Sequence, residues 1–309
     1  MILVLNGTSE RVVVDEGYME GIVIKHAKVE KPRGPKLLLI GGSNLAFGVD
    51  SEFLGSELEV PVVNMGLHAG LGASFILKEM EDVVIEGDVI VLSFEYFLSM
   101  NGRYTLKDQT RKCFPKAGEY FTSNIFHDAS YYFERTEQNW KVLFSPSNNS
   151  IKQEKKDQVR PIYSSSAFND HGDVVSHLDQ GPEEELNGAK IFTAHYWEGI
   201  DAINEAVAKI ESSGATVFYM FPAFPQTEYL LNKKNLQQLE ADIKRDLNIP
   251  VLNDLEDAIY PNDRFYDTVY HLNATGREQR TNDILKALNE GTEVKKSMRA
   301  LQEKSKDRT

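Results

Sequence analysis

Three short stretches of this 309-residue chain hold residue types that could perform serine chemistry. Ser43 follows Gly41-Gly42 directly. Asp267 and His271 stand four positions apart inside residues 265–276, and between these two stretches lies a glycine-rich run with Gly66, Gly70 and Gly72. A serine hydroxyl becomes a nucleophile when a base takes its proton. The base needs an acceptor on its other nitrogen to fix its tautomer. Each residue alone also has a plainer reading. Ser43 could be a turn or helix-cap residue, Asp267 a turn cap and His271 a packed loop residue. With 47 acidic residues and 7 histidines in the chain, no single one is informative. No Gly-Lys-Ser/Thr follows the glycines, which argues against a P-loop. Leu45 stands where a Gly-x-Ser-x-Gly nucleophile elbow needs glycine.

The surrounding elements must place these groups together. Residues 37–40 are all apolar, bounded by Pro35 and Gly41-Gly42, which suits a strand buried on both faces. Ser43 would then sit at the carboxyl end of a central strand, where open α/β sheets place reactive groups. Residues 61–64 give a second short apolar run. Phe75, Ile76, Met80, Val83 and Val84 have helical spacing, and residues 89–94 read as a third strand. This alternation argues for a parallel, doubly wound sheet. Residues 1–34 read as an N-terminal arm or edge hairpin ending in a Pro/Gly linker at 31–35.

The rhythm stops across an insertion at about 101–195, polar, aromatic-rich and too long for a simple loop. It could form a lid or a substrate wall, or be a decoration without chemistry. A helix over 196–213, a strand over 215–221, an amphipathic helix over 232–248, a short fifth strand at 250–252 and a last helix over 273–289 follow. Residues 291–309 form a charged tail expected to fray. The α/β domain therefore spans 35–290.

A net charge of −13 and a pI near 5.1 offer no basic field for nucleic acid. One cysteine, Cys113, excludes an internal disulfide and a multi-thiolate metal site. No stretch has the length of a membrane span and no signal peptide is visible, although the strand-like start at residues 1–5 would fit a chain from which a leader or anchor has been removed.

The order of the motifs resembles the SGNH/GDSL hydrolase superfamily, with a serine block after the first strand, a glycine block after the second, an asparagine block after the third and an Asp-x-x-His block before the last helix. Gly41-Gly42-Ser43-Asn44 stands at the first block, residues 62–70 at the second, residues 91–96 at the third and residues 267–271 at the last. The resemblance covers residues 36–100 and 196–290. It implies a three-layer α/β/α, flavodoxin-like fold with a central parallel sheet of about five strands. It further implies Ser43 as nucleophile, His271 as general base, Asp267 as its orienting partner, and the N–H groups of Ser43 and Gly70, or Gly66, as oxyanion donors. No cofactor and no metal are implied.

Three departures stand out. The first block is not Gly-Asp-Ser-Leu. Three residues, not two, separate Asp267 from His271. Glu95-Tyr96 occupies the place of the asparagine. A carboxylate cannot donate to an oxyanion unless protonated, so the Tyr96 hydroxyl or the Asn44 side chain could substitute, or the hole has only two donors. The departures are similar to a bacterial branch that adds or removes acyl groups on cell-surface polymers, of the teichoic-acid D-alanylation and exopolysaccharide O-acetylation kind. Members of that branch often carry an N-terminal membrane anchor, which would make the full-length protein membrane-associated and extracytoplasmic.

The resulting expectation is an esterase or O-acyltransferase acting on an acylated small molecule or polysaccharide, with Tyr131, Tyr132, Phe133, Trp140 and Trp197 available to stack on sugar rings or simply to fill a core. The alternative is a non-catalytic polysaccharide- or partner-binding protein that retains the fold. Nucleotide binding at residues 66–72 lacks its third glycine, which is Phe75. The cluster of Asp170, His171, Asp173, His177, Asp179 and His195 has no metal-ligand spacing.

Overall fold

A computed structural model describes residues 17–32, 34–121 and 162–306. The aromatic residues at 131–133 and Trp140 lie outside the described residues. Four short strands form a parallel sheet: β1 (Leu37–Gly41), β2 (Val62–Asn64), β3 (Val89–Ser93) and β4 (Thr216–Tyr219), in the order β2-β1-β3-β4. The expected fifth strand at 250–252 is reduced to a parallel bridge between Val251 and Tyr219. A separate two-stranded parallel pair joins β5 (Phe224–Pro225) to β6 (Ile259–Tyr260).

Side chains on a strand alternate faces, and here both faces are apolar. Leu38, Ile40, Ile90, Leu92, Val217 and Tyr219 enter one core, whereas Leu37, Leu39, Val89, Val91 and Phe218 enter another. Helices cover both. The first core takes α1 (Gly21–Glu30), then, after α2 (Ser43–Gly48) and α3 (Ser51–Leu58), the helices α4 (Ala73–Val83) and, beyond α5 (Tyr104–Cys113), α6 (Gly199–Glu211). The second takes α3 and, after α7 (Gln226–Asp246), the helices α8 (Ala274–Leu288) and α9 (Thr292–Lys306). Each large aliphatic side chain buried this way is worth about 1.5–3 kcal/mol, so the doubled apolar pattern is what fixes the sheet between two helical layers.

Two expectations are corrected. The described part of the N-terminal arm is helical, not a hairpin. Ile22, Lys25, His26 and Val29 recur at three- and four-residue spacing and are buried. The tail does not fray over residues 292–306. Val294, Met298 and Leu301 put a narrow apolar stripe on α9 that docks on the second core. Among the described residues, no helix is long and apolar enough to cross a membrane.

The described ends of the insertion pack onto the domain. Val174 N–H donates to Ala46 O on α2, and the 183–187 segment pairs with the Asp267 loop through Glu183 N–H to Tyr266 O and Asn187 N–H to Asp267 O. Trp197 is buried at 3 % exposure with its indole N–H on Leu98 O, so it fills core and offers no face to a sugar.

Candidate active site

Loops at the carboxyl ends of β1, β2 and β3 meet the loop before α8 around a cavity of about 560 Å³. Ser43, His68, Gly70, Glu95, Tyr96, Tyr163, Tyr270 and His271 are among its lining. A Cβ has no room beside the backbone at Gly41, and at Gly42 it would have to push the end of the Glu95 side chain aside. A Cβ at Gly41 would lie 2.0 Å from Ser93 O, and one at Gly42 would lie 2.3 Å from the Glu95 carboxylate. The chain therefore leaves β1, passes between β3 and its loop, and starts α2 with Ser43 half-buried at the cavity.

The residues 265–272 close on themselves. Phe265 and Leu272 form an antiparallel bridge, Tyr266 N–H donates to His271 O at 2.8 Å, and Thr268 Oγ1 accepts from His271 N–H at 3.0 Å. This turn absorbs the extra residue between the acid and the base. His271 Nδ1–H donates to Asp267 Oδ1 at 2.9 Å, with both side chains buried. That bond selects the tautomer in which Nε2 is the free acceptor. The Phe47 ring lies flat on the His271 imidazole, with centroids 3.8 Å apart and planes within 6°. Ser43 and Phe47 share α2, so one helix presents the hydroxyl and supports the base.

Asp267 has a second donor that the sequence did not single out. Tyr163 donates its hydroxyl to Asp267 Oδ2, and that hydroxyl lies 3.2 Å from His271 Nδ1. Burial alone would raise the Asp267 pKa, but the hydrogen bonds from His271 and Tyr163 outweigh it and hold the carboxyl below its ordinary value. Tyr163 itself is pushed upward by burial and by Asp267, and stays a phenol. Its only sequence signal was its place in an aromatic-rich insertion.

The expected oxyanion donors fare differently. Ser43 N–H makes no hydrogen bond among the described residues. Gly70 N–H donates to His68 Nδ1 at 2.8 Å, and Gly66 N–H to Asn64 Oδ1 at 2.9 Å. Asn44 Nδ2 donates to Ser93 O at 3.0 Å, and the Tyr96 hydroxyl to Pro222 O at 3.2 Å. Four of the five expected donors are thus committed to the fold, because buried polar groups find partners wherever the backbone permits. Gly70 and Tyr96 line the cavity; Gly66 instead packs under Leu45 and Gly42 O, and Asn44 ties α2 to β3.

Glu95 holds the asparagine position. Its carboxyl is 5 % exposed, Oε1 accepts from Asn44 N–H at 3.1 Å, and Oε2 is buried without a partner. Burial raises its pKa above the usual range. Two residues on, Phe97 has a φ of 51°, a left-handed conformation unusual for an aromatic residue and of a kind found at functional loops. His68 is pushed down to about 4 by burial, with Arg103 and His271 adding repulsion, so it is neutral and serves as an acceptor. Ser43 Oγ and His271 line one cavity without a hydrogen bond between them, a gap that ligand-free sites often close only when substrate binds.

Two members of the insertion's acid and histidine cluster are tied into the fold. Asp173 accepts from Ser51, Asn64 and Arg277, and His177 Nε2 meets Leu272 O at 2.9 Å. Among the described residues, no group of three or more His, Cys, Asp or Glu side chains could hold a metal ion. At residues 66–72, Phe75 is buried in the core where a dinucleotide fingerprint needs glycine. With this geometry in view, the chain as a whole matches no family model and no curated protein.

Proposed function

We propose that this chain is a serine-dependent esterase or O-acyltransferase with a flavodoxin-like SGNH arrangement, acting on an acylated carbohydrate or cell-surface polymer. The observation that carries the reading is the Asp267–His271 hydrogen bond, made beside Ser43 in one cavity at the carboxyl edge of a parallel sheet. Ser43 Oγ attacks the ester carbonyl while His271 Nε2 takes its proton. The leaving alcohol then takes that proton back, and Ser43 holds the acyl group. Water or a sugar hydroxyl, deprotonated by His271, releases it. Asp267 stabilises the imidazolium of each step.

The lining fits such a substrate. Tyr18, Phe97, Tyr163 and Tyr270 offer aromatic faces, and among the described lining residues Arg103 and Lys190 are the cations and Glu95 the one acidic side chain. An acyl ester on a neutral or anionic saccharide matches that charge pattern better than a cationic one.

p-Nitrophenyl acetate tests the reading, supplied alone and with a series of oligosaccharides. Release of p-nitrophenolate by the wild type, lost in Ser43→Ala and His271→Ala, supports it. Acceleration by one saccharide, with that saccharide recovered acetylated, identifies a transferase. A second reading, a polysaccharide- or partner-binding protein without catalysis, draws on the commitment of Gly70 and Gly66 N–H to internal acceptors. It predicts saccharide binding by calorimetry that Ser43→Ala leaves intact, with no turnover.

A further inference from the structure

Glu95 is the polar group of the cavity that the fold leaves unfinished. Oε1 has the Asn44 N–H, while Oε2 is buried and unpartnered. Asn44 on α2 bonds to the carboxyl, and His271 and Tyr270 on the loop before α8, Tyr18 from the N-terminal segment and Tyr219 on β4 lie near enough to couple to its charge. No Lys or Arg forms an ion pair with it among the described residues. An ionised carboxylate so placed would be desolvated and supported by neutral hydrogen-bond donors of Asn44 and its own backbone, and burial outweighs them. A neutral carboxylic acid needs one acceptor for its own O–H, and no protein acceptor is offered to Oε2.

We propose that Glu95 is protonated in the resting protein and that its Oε2–H is an oxyanion donor, replacing the amide of the missing asparagine. The inference rests on the acyl-transfer reading given above. As the Ser43 Oγ–carbon bond forms, the carbonyl π pair moves onto oxygen and the Ser43 proton goes to His271. The new oxyanion accepts hydrogen bonds from Glu95 Oε2–H and Ser43 N–H. When the C–O bond to the leaving group breaks, that pair returns to the carbonyl and the alcohol takes the His271 proton. Glu95 keeps its own proton throughout. The carboxyl packs against Gly42, the residue before the nucleophile, where any side chain would displace it. A preorganised donor of this kind is worth about 10²–10³ in rate.

The test compares wild type, Glu95→Gln and Glu95→Ala with p-nitrophenyl acetate across pH, with fluorophosphonate labelling to count competent Ser43. Glu95→Ala should lose about 10²–10³ in kcat with a smaller change in KM. Glu95→Gln, isosteric and still a donor, should recover at least about tenfold of that loss and lack the alkaline decline that ionisation of Glu95 gives the wild type. Infrared difference spectra of wild type against Glu95→Gln should also contain a protonated-carboxyl band at neutral pH, a readout independent of turnover. Glu95→Gln as impaired as Glu95→Ala, Glu95→Ala as active as wild type, or no such band would overturn the proposal. Those outcomes leave wild-type labelling and turnover in place, whereas failure of the acyl-transfer reading removes both from the wild type itself.

Discussion

Asp173 and Glu95 are both buried carboxylates beside α2, and their surroundings are opposite. Asp173, at 0 % exposure, accepts two hydrogen bonds from Ser51, one from Asn64 and one from Arg277. Arg277 also holds Val49 O and Asp50, so this cluster clamps the exit of α2 to α8 and to the insertion. Glu95 lines the cavity, is held by neutral hydrogen-bond donors with no cation paired to it among the described residues, and keeps one buried oxygen without a partner. A buried acid with every lone pair occupied and a cation at hand is a structural part. One left unsatisfied next to a nucleophile is available to a ligand. Asp267 lies between the two, shared by His271 and Tyr163 at the cavity edge.

Substitutions can break this contrast. The largest effect is expected at Asp267. Asp267→Asn should cost about 10⁴ in kcat through the wrong His271 tautomer, with the melting temperature moved little by comparison. Loss of fold with retained activity per labelled molecule would reverse its assignment. Asp173→Ala should act the other way, costing about 3–5 kcal/mol in urea unfolding because it strands Arg277, while Ser43 in the folded fraction still reacts. A loss under about 1 kcal/mol would show that the clamp is dispensable.

Tyr163→Phe removes one hydrogen bond to a charged acceptor, an interaction worth about 1.5–3 kcal/mol, and should lower kcat roughly tenfold. It should also move the acid limb of the pH–rate profile upward, because Asp267 loses one of the bonds that depress its pKa. An unchanged limb would place Tyr163 outside the relay. The smallest effect concerns stability. The pKa of Glu95 is raised in the folded state, so its contribution is fully present below the unfolded value and is lost as pH rises through the folded one. Glu95→Gln should therefore narrow the gap between melting temperatures measured at acid and alkaline pH. An identical gap would mean that Glu95 binds no extra proton on folding.

Much of the fold was legible because the apolar runs at 37–40, 61–64 and 89–94 are buried on both faces and carry unbroken patterns. The start of α8 near residue 273 was legible as well, because a capping residue precedes its helical pattern. The helices α1 and α9 were not, since the apolar run Ile22-Val23-Ile24 of α1 suits a strand equally well, and α9 has few apolar residues among many charges and is held by docking. At the site, Ser43, Asp267 and His271 could be found from type and order. The commitment of Gly70 to His68, and of Tyr163 to Asp267, depends on side chains from distant segments meeting in space. No spacing in the sequence encodes those meetings. Glu95 was visible as a departure, but its orphaned oxygen is a property of packing alone.

Intact-mass spectrometry after exposure to a fluorophosphonate tests the central claim, an activated Ser43, most directly. The account predicts one adduct on the wild type, located at Ser43, absent from Ser43→Ala and strongly reduced in His271→Ala. An unlabelled wild type, or equal labelling of Ser43→Ala, would contradict it.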